Sequence, residues 1–304
     1  MLKQRILTAV LLLAALLAAI FYLPPLYWAL LMALMAAVAA WEWGGLSGLG
    51  RGGRIMSCGV TLAACLGLTL DSGSLLLATF RVWGMPSSRL FIPGMIFTSL
   101  VAVFWCLLAP FWLARRWRPN RTRAGKCFLL FLGMSLILAT WFACVFLREL
   151  HPLVLLGPLL LVWISDSAAY FAGRKFGGKK LAPEISPGKT WAGVYGALAG
   201  VLLYGVLLHA AALFLADSLP VGVMGHIARF ARDHWWITPL FLLFTVPGIL
   251  GDLFESLLKR QVGVKDSGKL LPGHGGALDR IDSLMAVLPC AVALITALMF
   301  LRIA

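Results

Sequence analysis

Charge is scarce in this sequence. Only 12% of its 304 residues are charged, against roughly a quarter in an ordinary soluble domain. Acids are scarcer still, 12 Asp and Glu against 26 Lys and Arg. Cysteine is sparse as well. The six (Cys58, Cys65, Cys106, Cys127, Cys144 and Cys290) are scattered, mostly inside apolar runs, and no CxxC pair occurs. That spacing excludes a disulfide scaffold and reads as small core residues. What is abundant is apolar surface: 61% of the residues are hydrophobic, with a mean hydropathy of +0.93. A soluble fold could not hide so much, which excludes a disordered chain and a soluble enzyme and leaves an integral membrane protein. A net charge of +14 would point to nucleic acid in a soluble chain. Here the basic loops serve to hold membrane spans and to face anionic headgroups, so membrane lipids are the expected partner and nucleic acid is not.

About nine apolar stretches approach the length that crosses the roughly 30 Å hydrocarbon core. They lie near 6–23, 26–42, 55–71, 93–113, 127–147, 153–172, 191–215, 235–253 and 283–302. The first resembles a signal peptide, since Lys3 and Arg5 precede a Leu/Ala run. No small-residue cleavage site stands out, and a second apolar run follows across Pro24-Pro25, so a retained helical hairpin is expected. Leu75–Val82 reads as a short re-entrant or interfacial piece. With the N-terminus inside, twenty of the Lys and Arg fall on cytoplasmic segments and six outside: Arg81, Arg89, Arg148, Arg229, Arg232 and Arg302. That is the asymmetry of the positive-inside rule. The expectation is an all-α integral membrane protein with about nine transmembrane helices, N-terminus cytoplasmic and C-terminus outside. Residues 1–150 would embed the chain in the membrane, and residues 151–304 would carry a site on the cytoplasmic face.

Half of the acids fall at that face: Asp166 near the end of the sixth span, Asp252 and Glu255 ending the eighth, Asp266 in the next loop, and Asp279 and Asp282 opening the ninth. Carboxylates at membrane depth are expensive, which makes them functional candidates. A lone acid pairs with a nearby Lys or Arg as often as not, but acids gathered from three spans favour a shared role. Asp279 and Asp282 are spaced i, i+3 and would share a helix face. They could hold one hard cation, with Asp252 or Asp166 completing its shell. Mg2+ suits this, because it keeps waters and takes phosphate oxygens. Lys259, Arg260, Lys265, Lys269 and Arg280 lie in the same stretch, as a polyphosphate ligand requires. Between them, Leu271-Pro-Gly-His-Gly-Gly276 offers glycine backbone to phosphate, with His274 as a phosphate, proton or loop contact. A second loop contains Gly188-Lys189-Thr190, but Pro183 stands where a P-loop needs glycine and no buried strand precedes it, so a P-loop is rejected. Ser186, Lys189 and Thr190 remain as phosphate contacts. The basic residues Arg174, Lys175, Lys179 and Lys180 serve equally well as headgroup anchors.

The run from Ser256 to Asp282 resembles the signature of the phosphatidate cytidylyltransferases, through Ser256, Lys259-Arg260, Lys265-Asp266, Gly268, Pro272, His274-Gly275-Gly276, Asp279-Arg280 and Asp282. Gly251-Asp252, Glu255, Ser165-Asp166-Ser167 through Gly173, and Ser186-Pro187 with Lys189-Thr190-Trp191 match further segments, so the resemblance covers about the C-terminal half. Gly188 and Ala192 depart from it, standing where a second Lys and a Glu are common. The resemblance implies transfer of CMP from CTP to phosphatidate, giving CDP-diacylglycerol and pyrophosphate. It implies Mg2+ on Asp166, Asp252, Asp279 and Asp282, with room for a second cation. Catalysis would involve Asp252, Asp279, Asp282, Lys259, Arg260 and His274. Lys265, Asp266, Arg280, Gly275, Gly276, Ser186, Lys189 and Thr190 would bind substrate. CTP is cytosolic, so the site should face the cytoplasm, in a bacterial inner membrane, and the pattern leaves a homodimer open. The alternatives are another lipid phosphate as acceptor, a degenerate scaffold, or a transporter, which would call for inverted repeats and midplane acids.

Overall fold

A computed structural model describes residues 2–71, 91–119, 122–220, 223–235, 237–268 and 275–303. Leu75–Val82 and His274 lie outside the described residues. The molecule is an all-α membrane protein with one small two-stranded hairpin. Among the described residues, seven helices are long and apolar enough to cross a membrane: Pro25–Leu46, Arg51–Thr69, Ile92–Arg115, Arg123–Leu150, Pro152–Phe176, Trp191–Leu215 and Phe241–Gln261. Two shorter apolar helices, Val10–Tyr22 and Leu284–Leu298, coincide with the first and last expected stretches. The chain folds as two discontinuous units. One comprises residues 1–96, 119–152 and 266–280, and the other residues 97–118, 153–265 and 281–304.

The first unit is built on α1 (Leu2–Tyr22), α2 (Pro25–Leu46), α3 (Arg51–Asp71) and α6 (Arg123–Leu150). Pro24 and Pro25 break α1 from α2, since Pro25 supplies no amide and suits a first helical turn. Ala29, Ala33, Ala36, Ala37 and Ala40 of α2 are buried. This stripe lets α3 and α6 approach closely, which is how helices associate where lipid cancels the hydrophobic drive. Indole N–H groups stitch α2 to α6. Trp43 Nε1 donates to the Leu129 carbonyl at 2.8 Å, and Trp28 Nε1 to the Cys144 carbonyl at 3.2 Å. The Trp43 ring lies where a side chain on Gly133 would overlap it, so glycine is required there. The Thr122 hydroxyl caps α6 by accepting the Gly125 amide.

In the second unit, α10 (Ile237–Gln261) packs against α5 (Ala109–Arg115), α8 (Trp191–Leu215) and α12 (Leu284–Ile303). The fully buried Phe254 of α10 makes edge-on contacts with Phe104, Trp105 and Trp112. Between α4 (Phe91–Val103) and α5 the helix widens into a π turn over Phe104–Leu108. The wider turn accommodates Pro110, whose ring would collide with the carbonyl four residues back in a regular helix. The hairpin pairs β1 (Lys180–Ala182) with β2 (Ser186–Thr190) after α7 (Pro152–Phe176). Arg116 pairs with Glu184 and Arg260 Nε donates to the Ile185 carbonyl, tying the hairpin turn to α5 and α10. The Thr190 hydroxyl then accepts the Gly193 amide at 3.1 Å and starts α8. The remaining helices are α9 (Val223–Asp233) and the single turn α11 (Leu278–Ile281).

Candidate functional site

Two groups of candidate residues take shape, one in each unit. In the second unit, β2 delivers Lys189 to the side of α10. Its Nζ lies 2.6 Å from Asp252 Oδ2, while Ser256, one turn on, donates from its hydroxyl to Asp252 Oδ1 at 3.3 Å. Neither Lys189 nor Asp252 is sealed: their side chains are 24% and 33% exposed. Asp166 of α7 feels the charges of both Asp252 and Lys189. Asp282, just before α12, belongs to the same group. Burial, and then the charge of Asp252, push its carboxyl up from 3.8 to about 7. The Ser283 amide, Lys189 and Lys259 pull the other way. That amide is 2.7 Å from Asp282 Oδ1. Gly251 makes the approach of α10 feasible, because a Cβ there would run into the Asp282 carbonyl. One turn further along α10, Lys259 Nζ lies 2.7 Å from Glu255 Oε2, with both residues buried.

This arrangement gathers Asp166, Asp252, Asp282, Lys189 and Lys259 from α7, β2, α10 and the start of α12. Asp252 repels both Asp166 and Asp282 beside two ammonium groups, and such a set of donors could serve a hard cation or a phosphate. Among the described residues no three carboxylate, imidazole or thiol groups form a ready-made metal cage. An ion that keeps waters and borrows phosphate oxygens does not need one. Arg260, exposed on α10, donates toward the Ile185 and Val264 carbonyls. Ser186 opens β2. Thr190, expected to touch phosphate, is buried and caps α8. Gly188 faces open space, so the missing second lysine of the resemblance leaves no packing defect.

In the first unit lies what is described of the glycine loop. Asp279, expected beside the cation, accepts the Gly276 amide at 2.8 Å and the Ser267 amide at 3.0 Å through Oδ2. It ties residue 267 to residue 276. Gly275 has φ +86°, and a Cβ there would press on Asp279. Lys265, Asp266 and Arg280 are exposed, and Lys265 and Asp266 straddle the boundary between the units.

The residue missed in the sequence is Glu42. It stands on α2, is 2% exposed, and accepts three hydrogen bonds from the loop. These come from the Ala277 amide to Oε1 at 3.1 Å, and from the Leu278 amide at 2.8 Å and the Ser267 hydroxyl at 3.0 Å to Oε2. A signal existed, since an acid flanked by Trp41 and Trp43 at the end of an apolar run is costly unless satisfied. Its partners sit 225 to 236 residues away, beyond the reach of any local pattern.

The sequence is similar to known proteins along most of its length. The sequence is 36% identical over 304 residues to the phosphatidate cytidylyltransferase of Pseudomonas aeruginosa, covering 98% of each chain. It is 33% identical over 297 residues to that of Haemophilus influenzae, covering 95% of this chain and 96% of the relative. Over a 160-residue stretch, 52% of this chain and 55% of the relative, it is 41% identical to that of Thermotoga maritima. The profile of the cytidylyltransferase family matches residues 3–298, which takes in the first 150 residues where the motifs alone were silent, and the chain belongs to that family.

Proposed function

We propose that this protein transfers CMP from CTP to phosphatidate, giving CDP-diacylglycerol and pyrophosphate. The observation that carries this reading is the similarity along 98% of both chains to the Pseudomonas aeruginosa phosphatidate cytidylyltransferase. A phosphate oxygen of phosphatidate forms a new bond to the α-phosphorus of CTP, the bond from that phosphorus to the β-phosphate bridge breaks, and pyrophosphate leaves. Phosphatidate already carries an anionic nucleophile, so no strong general base is required. The work lies in offsetting charge and aligning the attack.

Asp166, Asp252 and Asp282 would hold Mg2+, and their crowded oxygen donors fit such an ion. Mg2+ supplies charge neutralisation on the phosphates of CTP when bound. Lys189, held against Asp252, and Lys259, held against Glu255, keep fixed positive charge for phosphate oxygens. Arg260, Lys265 and Arg280 are exposed and able to follow the polyphosphate. Asp279 shapes the glycine loop, leaving its backbone to approach phosphate. The two shorter apolar helices complete nine membrane spans, with the N-terminus and the site on the cytoplasmic side of the bacterial inner membrane. The twenty-to-six partition of basic residues supports that orientation.

The test is transfer of label from CTP into lipid by the purified full-length protein in detergent, with phosphatidate and Mg2+, with and without EDTA. Label in the lipid that EDTA abolishes is the expected result. Transfer only to a different lipid phosphate would replace the acceptor, and no transfer to any by folded protein would end the reading.

A further inference from the structure

We propose that Glu42, on the second helix and far in sequence from the signature, is a positioning residue for CMP transfer that joins Ser267 to Ala277 and Leu278 and so holds Gly275 and Gly276 in place. The inference rests on the reading of the glycine loop as a phosphate cradle. Both ends of the loop meet the same carboxylate. Ser267 donates its hydroxyl, and Ala277 and Leu278 donate their amides. Asp279 repeats the connection from within, accepting the Ser267 and Gly276 amides. Residues 267 and 276–278 are thus joined through two carboxylates, one local and one supplied by α2.

Two glycines of the loop are explained by this contact. At Gly268 a Cβ would overlap Glu42 Oε1, and at Gly276 it would crowd both Glu42 Oε2 and the Ser267 hydroxyl. Glycine is needed there so that a buried side chain from another helix can reach the loop backbone, not only so that the loop can turn. Glu42 is itself held firmly. Its neighbour Trp43 is locked to α6 through the Leu129 carbonyl, and Trp41 carries the Arg54 guanidinium over its ring at 4.4 Å, with Arg54 Nε donating to the Trp41 carbonyl. A rigid helix therefore sets how Ser267 and Gly268 stand to Gly276, Ala277 and Leu278.

A glutamine at this position would keep one acceptor oxygen but turn an NH2 group toward the Leu278 amide, donor against donor. In the full-length protein in detergent, Glu42→Gln should lower kcat/KM for CTP by about 10- to 100-fold, with Glu42→Ala lower still, in line with losing buried charge-assisted bonds. Most of the loss should appear in kcat. Hydrogen exchange in the 275–281 segment should quicken. Ser267→Ala should cost less, and in the Glu42→Ala background should add almost nothing, because Glu42→Ala already removes the bond to Ser267. Specific activity per folded Glu42→Gln molecule within twofold of wild type would overturn the proposal, as would unchanged exchange at 275–281 or full additivity of Glu42→Ala with Ser267→Ala. A wild type that transfers no CMP would defeat the functional reading and the transfer role with it, whereas an active wild type with an equally active Glu42→Gln defeats the positioning role alone.

Discussion

Replacing Asp282 with asparagine should make the cation-free protein more stable while removing its activity. The carboxyl of Asp282 is pushed from 3.8 to about 7, first by burial and then by Asp252. A raised folded-state value means that between about pH 4 and pH 7 the folded protein keeps a proton that the unfolded chain has already lost. Stability contributed by the protonated form is complete below pH 4, falls as pH rises through that window, and is gone above 7. At 1.36 kcal/mol per pH unit, the cost at pH 8 is at most about 4 kcal/mol. Asp282→Asn carries no such titration. In EDTA at pH 8 its heat-unfolding midpoint should exceed that of wild type, and the gap should close as pH falls toward 4. Mg2+ should raise wild type far more than the variant, because the cation relieves the repulsion between Asp252 and Asp282. CMP transfer should fall by about 100-fold or more, as expected when a charge-neutralising metal site is broken. The assay is tryptophan fluorescence against temperature in detergent, from pH 4 to 8, with EDTA or Mg2+, run beside labelled-CTP transfer. Equal midpoints at pH 8 in EDTA, or near-normal transfer, would refute the assignment of Asp282 to a crowded carboxylate group that binds the cation.

Three further outcomes follow from the same geometry. Lys189→Met removes the ammonium 2.6 Å from Asp252 and one of the charges that lower the Asp282 carboxyl, so turnover should drop and the acid limb of the pH–rate profile should move to higher pH. A profile that falls in height without moving would separate Lys189 from Asp282. Gly251→Ala places a methyl group against the Asp282 carbonyl and should cost about 1–3 kcal/mol of stability, by the usual scale of overpacking, together with activity, read as a lowered unfolding midpoint and lowered kcat. Gly188→Lys enters open space, so heat stability should be unchanged and the KM for CTP should not rise; a rise would show that Gly188 is adapted to the nucleotide.

The helices were legible because apolarity writes them directly. The stretch read at 191–215 is α8, and that read at 153–172 lies within Pro152–Phe176. Where bounds differ, the helix continues past the hydrocarbon into polar residues: α6 begins at Arg123, four residues before the apolar run, because Thr122 caps it. The hairpin over 180–190 was not legible, since three- and five-residue strands of mostly polar residues depend on main-chain pairing and on ties such as Arg260 to Ile185. The candidate acids could be named from the sequence but not sorted. Asp279 and Asp282 stand three residues apart in similar sequence surroundings, yet one spends its oxygens on backbone amides and the other is left crowded against Asp252. Side-chain spacing on an assumed helix suggested a common ligand, but α11 is a single turn of Leu278–Ile281, too short to impose a shared face. What separates their roles is the supply of donors. The glycine loop brings unpaired amides to Asp279 and to Glu42, whereas α10 brings another carboxylate to Asp282. An acid that meets N–H groups becomes a structural tie, and an acid that meets its own kind must hold a proton or a cation. In this protein both kinds lie within one stretch of the signature.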